Sequence, residues 1–185
     1  MIVFSVLLAL GLNEYRSNYK DKLQKTQALK KIENELQTNL EIVEELEPYH
    51  NEVLQNIRDA IKSNTNLERF FTGNRNDLAR LMPRGILWRL IDDTAWDALK
   101  TSKIFSDIEL DTMVELSKIY KLQNIGVSMT INSISDIIKT RELLRKENAR
   151  ETLILLRNGF AELVSQEKFL INHYREILKK LAGTD

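Results

Sequence analysis

The 185-residue chain contains no cysteine, which excludes disulfides, thiolate metal centres and cysteine nucleophiles. Only six glycines and two prolines occur, so long helices with few turns are expected. The glycines are scattered, and no Gly-rich phosphate loop can be built from them. Charge of one sign is also missing: 27 basic residues face 27 acidic ones. No overall field therefore draws the chain to nucleic acid, and no nucleic-acid partner is expected. A net charge of zero favours association, so a protein partner or self-association is expected. Histidine is scarce too, with His50 and His173 only.

What is present is a core-forming composition. Apolar residues make up 43% and charged residues 29%, too apolar for a disordered chain. The charge is unevenly placed. Asn13 to Lys31 carries six bases (Arg16, Lys20, Lys22, Lys25, Lys30, Lys31) against Glu14 and Asp21, whereas Ile32 to Glu52 carries seven glutamates and no base. A basic collar beside an apolar segment suits a membrane surface, and the acidic stretch reads as a solvated helix face.

Apolar residues repeat at helical spacing along most of the chain. Leu29, Ile32, Leu36, Leu40, Val43 and Leu46 form one stripe of a helix that ends or kinks at Pro48. A further helix is expected to bury Val53, Leu54, Ile57 and Ile61. Leu67 to Asp93 is irregular; its Phe70, Phe71 and Trp88, with Trp96, are expected to close one end of the bundle. A short helix capped by Asp92 or Asp93 should bury Trp96 and Leu99. Ser106 and Glu109 have capping-box spacing before a helix reaching Thr140, with a kink near Gly126. Ala149 to Leu181 gives the strongest stripe, four and three residues apart, with a skip at Gln166 and Glu167. No alternating strand pattern competes. The expected fold is all-α: an elongated antiparallel bundle of long, coiled-coil-like helices.

Chemistry-bearing sets are sparse. Glu47 and His50 give one Glu-x-x-His, but Pro48 intervenes and no second copy exists, so His50 is expected to be an ordinary surface histidine and no metal is expected. His173 reads as a partly exposed structural residue. Asp92, Asp93 and Asp97 beside Trp96 read as helix capping rather than a cleft. Neither a catalytic residue nor a cofactor is expected, and the chain reads as a non-enzyme. The one candidate ligand pocket lies at Trp88, Asp93 and Trp96, which would make the domain sensor-like.

The opening MIVFSVLLALGLNEYR sets nearly unbroken apolar residues against a polar boundary. Twelve helical residues rise about 18 Å, short of the roughly 30 Å of a bilayer core. A signal peptide lacks its basic start here. Apolar side chains on every face argue against a buried soluble helix. Ile2, Val3, Phe4, Val6, Leu7, Leu8, Leu10 and Leu12 are thus read as the C-terminal part of a membrane-anchor helix, with residues missing upstream. Tyr15, Arg16, Tyr19 and Lys20 stand at its interface. The expected division is an anchor over 1–12 and a helical bundle over 13–185.

VLLALGLNEYRSNYKDK (Val6 to Lys22) resembles the anchor junction of a bacterial family of uncharacterised membrane-anchored helical proteins. Asn13, Glu14 and Arg16 match its Asn-Glu-Trp-Arg element, with Tyr15 in place of Trp. DTAWDALKTSK (Asp93 to Lys103) resembles a second element of that family, a Trp-x-x-Leu helix before a Ser-rich turn. The resemblance implies a single N-terminal anchor in the bacterial inner membrane, residues upstream of Met1, and an extracytoplasmic helical domain without catalytic residues.

Overall fold

The computed structural model describes residues 2–72, 77–140 and 145–183, without the side chains of 2–6 and 9. It is all-helical, with no strand among the described residues. The helices are α1 (Ile2–Ser63), α2 (Thr94–Lys100), α3 (Leu110–Lys121), α4 (Met129–Lys139) and α5 (Ala149–Ala182). A π-helical stretch, Leu122–Ser128, joins α3 to α4. Gly126, the site of the expected kink, lies within this widened stretch.

The core follows a four-three step on three rows. On α1 the central row is Ile32, Leu36, Asn39, Val43, Leu46, His50, Val53, Ile57 and Ala60, with Leu40, Ile42, Tyr49 and Leu54 buried beside it. On α5 it is Ala149, Leu153, Leu156, Phe160, Leu163, Glu167, Leu170, Tyr174 and Ile177, with Thr152, Val164 and Ile171 beside it. Leu116, Tyr120, Gln123, Val127 and Ile134 make the third row. Cross-links give the directions. Glu44 meets Arg175 and His50 meets Glu167, so α1 and α5 are antiparallel. Glu115 meets Lys180 and Ile134 lies against Gly159, so α3 and α4 also run antiparallel to α5. At Gly159 an added Cβ would stand 2.8 Å from Ile134 Cγ1, so the missing side chain permits the close approach of α4 and α5.

Three local expectations are corrected. Pro48 does not end the first helix, because α1 continues through it to Ser63. The ring lies on the exposed face, where water can serve the Glu44 carbonyl it leaves unbonded, and Leu46, Tyr49 and Val53 are buried on either side of it. The Ser106–Glu109 capping box does not form. Ser106 sits in the 3-10 turn Lys103–Asp107, and its hydroxyl donates within that turn to Lys103 O at 3.0 Å. The aromatics do not gather at one end. Phe70 lies beside Asn56 and Ala60, Trp88 beside Glu45, and Trp96 beside Glu35, so they are spread along α1.

Candidate functional site

Residues 81–93 form a strap without regular secondary structure that runs antiparallel to α1. Such a segment must find partners for its backbone polar groups. One face of α1 supplies them. Asn56 Nδ2 donates to Leu81 O at 3.1 Å. The Tyr49 hydroxyl donates to Gly85 O at 2.7 Å and accepts from Arg84 N at 3.0 Å. Glu45 accepts from the Trp88 indole and the Arg89 guanidinium. Asn39 donates to Asp92 O and accepts from Asp92 N. Beyond the strap, Glu35 accepts from Ala95 N at 2.6 Å and Trp96 N at 3.4 Å, capping α2 from another helix. The same carboxylate accepts the Tyr120 hydroxyl at 2.6 Å. Gly85 has φ +73°, a left-handed turn that suits glycine.

Beneath the strap lies a buried pair. His50 Nδ1 stands 2.7 Å from Glu167 Oε1, and both side chains are 0% exposed. His50 Nε2 stands 2.7 Å from Ile86 O. The reading of His50 as a surface histidine is therefore corrected. It takes an inward row position, four residues after Leu46 and three before Val53. Burial pushes the Glu167 carboxyl up, while the bond to His50 pulls it back. Its Oε2 is buried with no hydrogen-bond partner. Glu47, the other member of the Glu-x-x-His spacing, instead pairs with Lys168 at 3.5 Å. No group of three or more acids and histidines converges on a metal-sized site among the described residues.

Glu167 also lines a cavity of about 130 Å³ between the strap, α1, α4 and α5. Its walls are mainly apolar: Val43, Leu46, Leu87, Ile91, Val127 and Ile131. Leu90 and Arg89 stand at its exposed side, and Arg89 is held there by Glu45 at 2.9 Å. One further polar hub adjoins it. Gln123, from the π-helical stretch, accepts from the Tyr174 hydroxyl and Asn39 and donates to Asp92 O.

The residues expected to line a pocket sit in separate places. Trp88 packs edge-on to Tyr49 at 4.8 Å, with the Arg84 guanidinium over both rings. Trp96 is buried and stacks on Tyr120 at 5.1 Å. Their α1 partners, Glu45 and Glu35, are ten residues apart, about 15 Å. Asp93 accepts from Asn124 Nδ2 at 3.1 Å. Asp92 is held low in pKa by the Thr94 hydroxyl and the Thr94 and Asp93 amides, and Asp97 pairs with Lys100. His173 is half-buried against the Phe169 ring.

At the other end of the molecule, α1 leaves the bundle. Every residue from Gly11 to Gln24 is exposed. Leu7, Leu8, Leu10 and Leu12 are 62, 55, 59 and 63% exposed, and Tyr15, Arg16, Tyr19 and Lys20 follow on the same free helix. The side chains of Ile2, Val3, Phe4 and Val6 lie outside the described residues. No helix among the described residues is long and apolar enough to cross a membrane.

The row positions held the signal that sequence reading passed over. Asn39, His50, Gln123 and Glu167 each occupy a four-three position among apolar neighbours, which is where a polar residue must be paired or costly. No protein-family model matches the chain, and no curated protein or solved structure matches it significantly.

Proposed function

We propose that this chain is a membrane-anchored, non-enzymatic helical bundle that serves as a structural or protein-interaction module. The carrying observation is the free start of α1. Four exposed leucines precede two exposed tyrosines and a run of bases, on a helix that continues unbroken into the core at Ile32. Exposed apolar surface of that kind is unfavourable in water and is relieved in hydrocarbon, with Tyr15 and Tyr19 at the boundary and Arg16, Lys20 and Lys22 against lipid headgroups. The non-enzymatic reading is supported by the fate of the polar groups. Asp92, Glu35 and Glu45 are occupied in holding backbone and strap, and the one carboxyl at the cavity is shared with His50.

Cell fractionation tests the attachment. Recovery with membranes until detergent is added is expected, and recovery in the soluble fraction without detergent contradicts it. Replacing Leu8 and Leu12 with Glu should release the protein without altering the bundle, since neither side chain touches the core.

The resemblance favours a bundle outside the bacterial inner membrane, whereas the basic collar alone favours the inside. Because the chain has no cysteine, Asn64→Cys provides a single exposed thiol. Labelling by an impermeant reagent in cells with a permeable outer layer puts the bundle outside, and protection puts it inside.

A further inference from the structure

The His50–Glu167 pair defines the chemistry of the cavity beside it. Ile86 O can only accept, so His50 Nε2 carries a hydrogen. His50 Nδ1 and Glu167 Oε1, 2.7 Å apart, are both acceptors unless one proton lies between them. If that proton rests on the ring, the pair is imidazolium and carboxylate. If it rests on the carboxyl, both groups are neutral. The pair has no net charge in either case, and in either case Glu167 Oε2 offers lone pairs only. That oxygen is buried without a partner, on the only acidic residue lining the cavity among the described residues.

We propose that this cavity is a binding site for a small uncharged phenol or alcohol, its hydroxyl donating to Glu167 Oε2 and its hydrocarbon body lying against Leu46, Ile91, Val127 and Ile131. The volume of about 130 Å³ is close to the roughly 150 Å³ of an apolar cavity that admits benzene, so about six or seven heavy atoms fit. A carboxylate at that oxygen would meet an acceptor with an acceptor, and the Arg89 guanidinium at the mouth is already paired with Glu45. A cation gains little from a pair of zero net charge and would lose its hydration among apolar walls. The exposed Leu90 and the Arg89–Glu45 bridge mark the way in. This site goes beyond the membrane attachment proposed above and stands or falls separately from it.

The test uses the full chain in lipid nanodiscs with labelled methyl groups, titrated with phenol and with benzene. Phenol should shift the Ile91, Val127 and Ile131 methyls saturably and bind about tenfold tighter than benzene, the worth of one hydrogen bond. Val127→Phe, which fills the space, should abolish the saturable shifts under the same lipid conditions. Glu167→Gln should keep the preference, because its amide can donate to His50 and still present an oxygen to the cavity. Glu167→Leu should erase it; if that variant does not fold, the Gln and Phe variants still decide. No saturable shift in the wild type, equal affinity for phenol and benzene, or an unchanged phenol response in Val127→Phe would each overturn the proposal.

Discussion

His50 on α1 and Glu167 on α5 are 117 residues apart in sequence and meet in the core at 2.7 Å, with neither side chain exposed. The bond joins the two longest helices, and the second ring nitrogen of His50 fastens the strap at Ile86. One imidazole thus contributes both to the register of α1 on α5 and to the seat of the strap.

Removing both partners should cost less than the two single removals added together. His50→Leu leaves a buried carboxyl and the Ile86 carbonyl without their donors, and roughly 3–5 kcal/mol of stability should be lost. Glu167→Leu should lose a comparable amount. The double variant should be destabilised by at least about 1 kcal/mol less than the sum of the two, read from urea unfolding of each protein. Strict additivity would show that the two side chains do not interact.

Glu35 is the cap of a helix it does not belong to. Glu35→Ala removes the acceptor for Ala95 N, Trp96 N and the Tyr120 hydroxyl. A loss of about 2 kcal/mol is expected, at the upper end of ordinary capping effects. Trp96 lies in the uncapped turn and stacks on Tyr120, so its fluorescence should report the loosening. An unchanged emission spectrum and unfolding midpoint would rule out the capping role.

Two glycines should behave oppositely. Gly159→Ala forces its Cβ to within 2.8 Å of Ile134 Cγ1 and should destabilise by about 1–3 kcal/mol, despite alanine's better helix propensity. Gly126→Ala meets only Leu122 and Gln166 side chains at 3.4 Å and beyond, so it should be neutral or mildly stabilising. Thermal unfolding of the two variants checks the order, and equal effects would contradict the close α4–α5 contact.

Alkaline pH should unfold the protein steeply. Burial pushes the Tyr120 and Tyr174 phenols far above their usual range, and Tyr120 is raised further by its bond to Glu35. The folded chain therefore keeps protons that the unfolded chain releases near pH 10. Stability from these groups is complete below that pH and falls as pH rises through it, by about 1.4 kcal/mol per pH unit for each phenol held back. Tyr120→Phe should flatten the decline. If stability falls by the same amount between pH 9 and 11 in both proteins, Tyr120 is not withheld from ionisation.

The long helices were legible because their apolar residues step by four and three with few breakers between. Leu153, Leu156, Phe160 and Leu163 needed no other information. Pro48 misled because its local cost is real, yet the side chains on either side belong to one buried row. The polar row positions were harder. Glu167 showed only as a skip in the stripe, since its meaning depends on His50, a residue remote in sequence. The strap carries no period at all, and its course is set by Asn39, Glu45, Tyr49, His50 and Asn56. Within an acidic stretch that reads as solvated surface, Glu35 and Glu45 are hydrogen-bond anchors. Charge counts cannot separate such residues from Glu41, whose carboxylate accepts a hydrogen bond only from Gln37 of its own helix among the described residues.

Attachment of this bundle to a bilayer through the start of α1, as proposed, is open to a direct test. The most direct measurement is flotation of the purified full chain with phosphatidylethanolamine–phosphatidylglycerol vesicles in a density gradient free of detergent. Wild type should rise with the vesicles and the Leu8→Glu/Leu12→Glu variant should stay at the bottom. Wild type remaining at the bottom with its variant would contradict the account.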